Sequence, residues 1–237
     1  MLTGTRLTED RQVAGREARR EESTGGRVPA HARELGDAGL LVRLPRGYAL
    51  GPRIIALEHQ MTDYDPVLVR SRDLVEKLVA ETGLDAVISE WYGDSVVNVL
   101  IRRGPDPGPV GGGRGRPIDL FHSATSRVVL AYLLPRQIRR VFDAHASTPE
   151  GQQQGLEWKS FSKGLLAIRK QGYCISESEL HPGRTGVAAP IFDEKQRVLG
   201  SMTLVGRNER FRAFQESYLC TLITTAASEL TARIAQQ

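Results

Sequence analysis

Two apolar runs near the C-terminus, 186–192 and 198–205, flank a short polar stretch that contains Asp193-Glu194-Lys195-Gln196. A connection that short joins antiparallel strands and cannot hold the crossover that parallel strands require. A second pair of strand candidates, 84–91 and 96–101, flanks Tyr92-Gly93-Asp94-Ser95, and shorter ones fall at 118–121 and 173–177. Helical spacing lies between and around them. Val67, Leu68, Leu74, Val75, Leu78 and Val79 recur on one face and stop near Gly83. A helix at 124–133 has Ser123 as a candidate N-cap. Trp158, Phe161, Leu165 and Ile168 mark another, and Phe211, Phe214, Tyr218, Leu222, Ala226, Leu230 and Ile234 predict one long C-terminal helix. Strand pairs alternating with helices predict an α+β domain, an antiparallel sheet flanked by helices, and argue against a doubly wound nucleotide-binding fold.

Ahead of this region, residues 39–51 (GLLVRLPRGYALG) read as a separate small hairpin. Leu40, Val42 and Leu44 alternate before Pro45-Arg46-Gly47, and Tyr48 and Leu50 resume the spacing after it. Arginines at the turn suit phosphate contacts. Just upstream, Pro29 can occupy a first helical turn, which permits a short helix at 29–37. Downstream, Pro52 can open a further helix over 52–61 with Ile54, Ile55, Leu57 and Met61 on its apolar side. Residues 1–26 are different in kind. Up to residue 33 the chain has seven arginines against five acids, and Leu2, Leu7 and Val13 bury too little surface to offset the entropy of ordering them. This stretch is expected to be disordered or a frayed polar helix.

Composition narrows the function classes. The chain has 237 residues, is 40% apolar and 25% charged, and carries a net charge of +4. That mild basicity is compatible with nucleic-acid binding without requiring it. No apolar run approaches the roughly 18 residues of a membrane helix, and the N-terminus lacks the apolar segment of a secretory signal. Cys174 and Cys220 form no motif and read as reduced thiols of a cytoplasmic protein. His122, His145 and His181 have no metal-ligand spacing, so neither a metal nor a cofactor is expected. The loop 104–116 contains GGGRGR, but no strand–loop–helix frame with Gly-Lys-Ser/Thr surrounds it. No nucleophile–base pair or pair of catalytic carboxylates emerges.

Several segments in order resemble the IclR family of bacterial transcriptional regulators. They are AGLLVRLPRGYALGPRI (38–54), LVAETGL (78–84), DLFHSATSRVVLAYLLP (119–135), IRKQGYCISESEL (168–180), GVAAPIFDEKQRVLGSMTLVGRNERF (186–211) and the closing helix. The resemblance implies a winged helix-turn-helix, here partial, whose wing is the 39–51 hairpin, then a linker helix and a GAF-like effector domain. The division expected is a polar segment 1–26, a DNA-binding region 27–51, a linker 52–63 and an effector-binding domain 64–237. It further implies double-stranded operator DNA and a small organic acid or aromatic metabolite as partners, in a homodimer or homotetramer. Two departures are visible. The apolar first helix of the family is missing ahead of the wing, and Ser126-Arg127 replaces the usual Gly-Lys.

On this footing Arg27, His31 and Arg33 are the candidates for the DNA groove, with Arg46 on the wing touching phosphate. For the effector, the turn Ser123-Ala124-Thr125 begins a helix, where free N–H groups suit a carboxylate. Ser201, Thr203 and Val205 share one strand face and mix hydroxyls with apolar groups. By residue-wise match, Ser176, Gly186, Thr203 and Val205 fall where family members line the effector cavity. Ser176 stands where acid-binding relatives can place an aspartate. The plainer reading makes Ser123 merely a cap and Thr203 merely a strand residue. Two other functions stay open: a stand-alone sensor or dimerisation module without specific DNA binding, and a redox enzyme using Cys174 or Cys220.

Overall fold

The computed structural model describes residues 30–106 and 113–236. The expectations for residues 1–26 and for Arg27, and the middle of the glycine-rich loop, lie outside the described residues. The chain divides into two compact units, one ending at His59 and the other beginning at Gln60.

In the first unit, α1 (Ala30–Asp37) is followed by β1 (Leu41–Leu44) and β2 (Gly47–Leu50). The strands pair antiparallel from Leu41↔Leu50 to Leu44↔Gly47, around the expected Pro45-Arg46 turn. Gly39, at φ 73°, lets the chain leave α1 in the left-handed conformation, and its amide donates to the Gly36 carbonyl at 2.9 Å. A Cβ on Gly51 would stand 2.1 Å from the Gly39 carbonyl oxygen, so glycine is needed where the chain leaves the hairpin. The next helix, α2, covers Arg53–Tyr64, beginning one residue later and ending three residues later than its apolar spacing predicts.

In the second unit α3 spans Pro66–Thr82. Asp65 caps it by accepting from the amides of Val67 and Leu68 at 2.8 and 3.1 Å, Pro66 opens it, and Gly83 at φ 64° ends it. A six-stranded, wholly antiparallel sheet follows in the order β5-β4-β3-β8-β7-β6. Its strands are β3 (Asp85–Trp91), β4 (Val96–Arg102), β5 (Pro117–Ile118), β6 (Cys174–Glu177), β7 (Arg184–Phe192) and β8 (Val198–Arg207). The β7–β8 pair is the hairpin read from 186–205, in register from Arg184↔Arg207. The strand expected at 118–121 stops at Ile118, because the Asp119 carboxylate accepts from the amides of Phe121 and His122 and turns the chain.

Alternation sends the two faces of the sheet into separate cores. Ala86, Ile88, Val187, Ala189, Ile191, Met202 and Leu204 pack against α3 and the final helix α9 (Glu216–Ala235). The other face carries α4 (Ala124–Leu130), α5 (Pro135–Ala146) and α7 (Trp158–Gln171), with α6 (Pro149–Gln154) between the last two. Each fully buried Ile, Leu or Met contributes about 1.5–3 kcal/mol, so both layers hold the sheet. Two helices, α5 and α6, were not anticipated in the sequence. The C-terminal helix is also broken: α8 (Asn208–Arg212) ends before an extended Gln215, and Arg210 donates to the Thr82 carbonyl at the end of α3.

Candidate functional site

β8 turns Thr203 and Val205 toward the side of the sheet that carries α4, while Met202 and Leu204 enter the opposite core. α4 is seated on this strand by polar contacts. The Ser201 hydroxyl donates to the Thr125 carbonyl at 3.0 Å, and the Thr125 and Thr203 hydroxyls lie 3.0 Å apart. From β6, the Ser176 hydroxyl donates to the His122 carbonyl at 2.9 Å and fixes the turn into α4.

These contacts leave a cavity of about 60 Å³ between sheet and helix. Thr203, Val205, Gly186 and Val87 form its floor, and Ser123, Ala124, Thr125 and Ser176 one wall. Seven of the eight residues expected to hold an effector therefore come together. Ser201 does not, because its hydroxyl is committed to the carbonyl beneath α4. Ser123 is extended as an N-cap should be, yet its side chain makes no capping bond. Asn98, Ile118, Leu180, His181, Arg184 and Thr185 complete the lining and were not anticipated. Arg184 could have been found: it lies two residues before Gly186 on the same strand, hence on the same face.

Arg184 is buried, 8% exposed, and donates to Asp85 at 3.2 Å. Asp85 also accepts from the Gly104 amide at 2.8 Å and from Arg103 at 3.4 Å. Two guanidinium groups thus share one carboxylate. Among the described residues, Arg184 Nε and His181 Nε2 are buried side-chain nitrogens with no hydrogen-bond partner. Such groups cost roughly 1–3 kcal/mol unless something accepts from them. The turn that carries them is pinned. The Ser178 hydroxyl accepts from the Gly183 amide and from Asn208, whose own amide donates to the Gly183 carbonyl.

Burial pushes the Cys174 thiol up to about 11, with Arg127 opposing, and burial likewise raises Cys220. Neither supplies thiolate at neutral pH, the form a redox cysteine needs. Among the described residues no group of three His, Cys, Asp or Glu side chains is placed to hold a metal. A wider groove of about 600 Å³ runs beside α9, past Tyr132, Cys220 and Thr224. It contains no buried polar atom lacking a partner, whereas the smaller cavity has two.

In the first unit, His31 and Arg33 are both exposed on α1. Two residues apart on a helix they point about 200° away from each other, so one groove cannot take both squarely. His31 faces Glu34 at 3.6 Å. Arg46 is exposed at the hairpin turn, and Arg43 on β1 adds a cation that the sequence reading passed over.

Residues 59–232 match the family model for the C-terminal domain of the bacterial transcriptional regulator IclR. The chain is 22% identical over 172 residues to the Pca regulon regulatory protein of Pseudomonas putida, covering 70% of this chain and 58% of that protein. It is 22% identical over 201 residues to the HTH-type transcriptional regulator KipR of Bacillus subtilis, covering 84% and 80%. Among solved structures, a protein of Silicibacter sp. TM1040 described as an IclR transcriptional regulator superposes with TM-score 0.73 at 23% identity, covering 86% of this chain and 81% of that one. The Thermotoga maritima IclR structure gives 0.68 at 19% identity, covering 86% and 83%. At these identities the likeness is one of fold.

Proposed function

The chain belongs to the IclR family of bacterial transcriptional regulators, and from that premise we propose that its cavity binds a small organic acid whose arrival modulates operator binding. The observation that carries this reading is the cavity itself. Thr125 and Thr203, from a helix and a strand 78 residues apart in sequence, meet at its edge over a floor that includes Val87 and Val205. A pocket with a mostly apolar lining and a few convergent hydroxyls is what a small polar ligand needs.

The ligand acts by differential affinity. It favours one arrangement of α4 against β8, and that preference is linked to the placement of paired DNA-binding heads in a cytoplasmic homodimer or homotetramer. Arg33, Arg43 and Arg46 supply phosphate contacts from the first unit, with Arg27 upstream of the described residues. No helix among the described residues is long and apolar enough to cross a membrane.

Anisotropy titration with DNA from the neighbouring promoter tests the reading. Sequence-selective binding that weakens steeply with salt, and shifts when organic acids are added, is the expected result. Weak, unselective binding would instead favour a sensor that has lost operator recognition.

A further inference from the structure

We infer that Glu90 and Asp65 form a proton-sharing carboxyl pair that latches the joint between α2 and α3, closed while the pair holds a proton and loosened when it does not. Only the last step, from the joint to promoter DNA, rests on the regulator reading above.

Three observations carry it. First, Asp65 is the single residue between the two helices, and its Oδ1 accepts from the Val67 and Leu68 amides. The start of α3 therefore depends on where this carboxylate sits. Second, Glu90 on β3 is only 9% exposed, and its two oxygens differ. Oε2 accepts from the Tyr92 hydroxyl at 2.7 Å, whereas Oε1 is buried without a hydrogen-bond partner. A buried acceptor left without a donor is costly. Third, the carboxyl facing Glu90 is that of Asp65, which raises its proton affinity both as a charge and as a hydrogen-bond partner. A proton on Oε1 resolves the orphan, because the neutral acid can donate to Asp65. Ionised Glu90 instead sets a second negative charge against the cap of α3.

Among the described residues, Asp65 and Tyr92 are the ionisable groups that shift Glu90. Its cross-strand neighbours on β4 and β8 are Val97 and Gly200, neither of them ionisable. Cations on the surrounding helices are committed elsewhere. Arg72 of α3 donates to the Thr62 carbonyl at 2.9 Å, Arg140 of α5 to the Gly93 carbonyl at 3.3 Å, and Arg233 of α9 to Asp73 at 2.6 Å. Burial first and Asp65 second favour the protonated form, so the latch is closed in acid and released as pH climbs through about 7.

Carbon-13 NMR of the glutamate carboxyls, with amide exchange on the same full chain, tests the inference. Glu90 is expected to titrate near 7, and D65N, which keeps a capping oxygen but removes the charge, to lower its proton affinity about tenfold. The Val67 and Leu68 amides, judged against Leu74 and Val75 in mid-helix and corrected for intrinsic exchange, are expected to lose about tenfold protection between pH 6 and pH 8. E90Q places an amide donor against Asp65 at every pH and is expected to hold that ratio constant; it serves alone if D65N fails to fold. A Glu90 that titrates among ordinary carboxylates, or whose midpoint ignores D65N, overturns the pair. A ratio in the parent that does not change with pH overturns the latch. Promoter anisotropy over the same range is expected to change in the parent and less in E90Q. Identical pH profiles in the two proteins sever the latch from DNA, whereas unselective binding at every pH defeats the regulator reading and leaves the latch standing.

Discussion

Thr203 gives the cavity one of its two paired hydroxyls, and Thr203→Val keeps its shape while deleting that oxygen. The Thr125 hydroxyl then loses its partner inside a buried site, which costs about 1–2 kcal/mol. Chemical denaturation is expected to register that loss, with acid binding weakened in parallel; unchanged ligand affinity would remove Thr203 from the site. Glu90 makes a second prediction. Burial pushes its carboxyl up to about 7, opposed by the Tyr92 hydroxyl that donates to it at 2.7 Å, while Asp65 raises it further. Because the folded value lies above the ordinary 4.5, the folded chain binds the proton more tightly. Stability is therefore fullest below about 4.5 and declines as pH climbs through about 7, by about 3 kcal/mol. Glu90→Gln should flatten this slope in urea melts across pH 4 to 8, and a slope unchanged by the substitution would contradict the assignment.

Between elements, close backbone approach is the constraint that side chains cannot relieve. A Cβ at Gly200 would stand 1.9 Å from the Ser89 carbonyl oxygen, across the β3–β8 pair. Gly200→Ala must force those central strands apart, and a loss of about 3 kcal/mol or more is expected in thermal melts, against near-neutral behaviour if the pairing is looser. The elements legible in sequence were those with punctuation. Asp65-Pro66 and Gly83 bracket α3, and five polar residues separate β7 from β8. α5 was missed although Pro135 opens it, because only Val141 and Phe142 of its twelve residues are buried and Arg136, Arg139, Arg140 and Asp143 mask the stripe. Within the site, strand alternation exposed Thr203 and Val205 but could not reveal that Ser201, on the same face, is spent on the Thr125 carbonyl. His181 went unread because a turn, with Ser178 and Gly183 both at positive φ, brings it to the cavity rather than any periodicity, whereas Arg184 follows the strand alternation of Gly186.

Across the whole chain, the proposed regulation requires that ligand capture in the second unit and DNA contact from the first be separable and yet linked. Gly186 allows them to be separated cleanly. It lies on the cavity floor with an ordinary φ, and an added Cβ would meet its neighbours no closer than 3.8 Å. Gly186→Val should therefore fold at least as stably as the parent, since a β-branched residue suits a strand, while its methyl groups occupy the ligand's space. Anisotropy of labelled promoter DNA, titrated with small organic acids, is the measurement to make on parent and variant side by side. Equal DNA affinity in the two proteins without ligand, with an acid-dependent shift in the parent alone, is the result predicted. A shift of the same size in Gly186→Val would mean that the signal enters the molecule elsewhere.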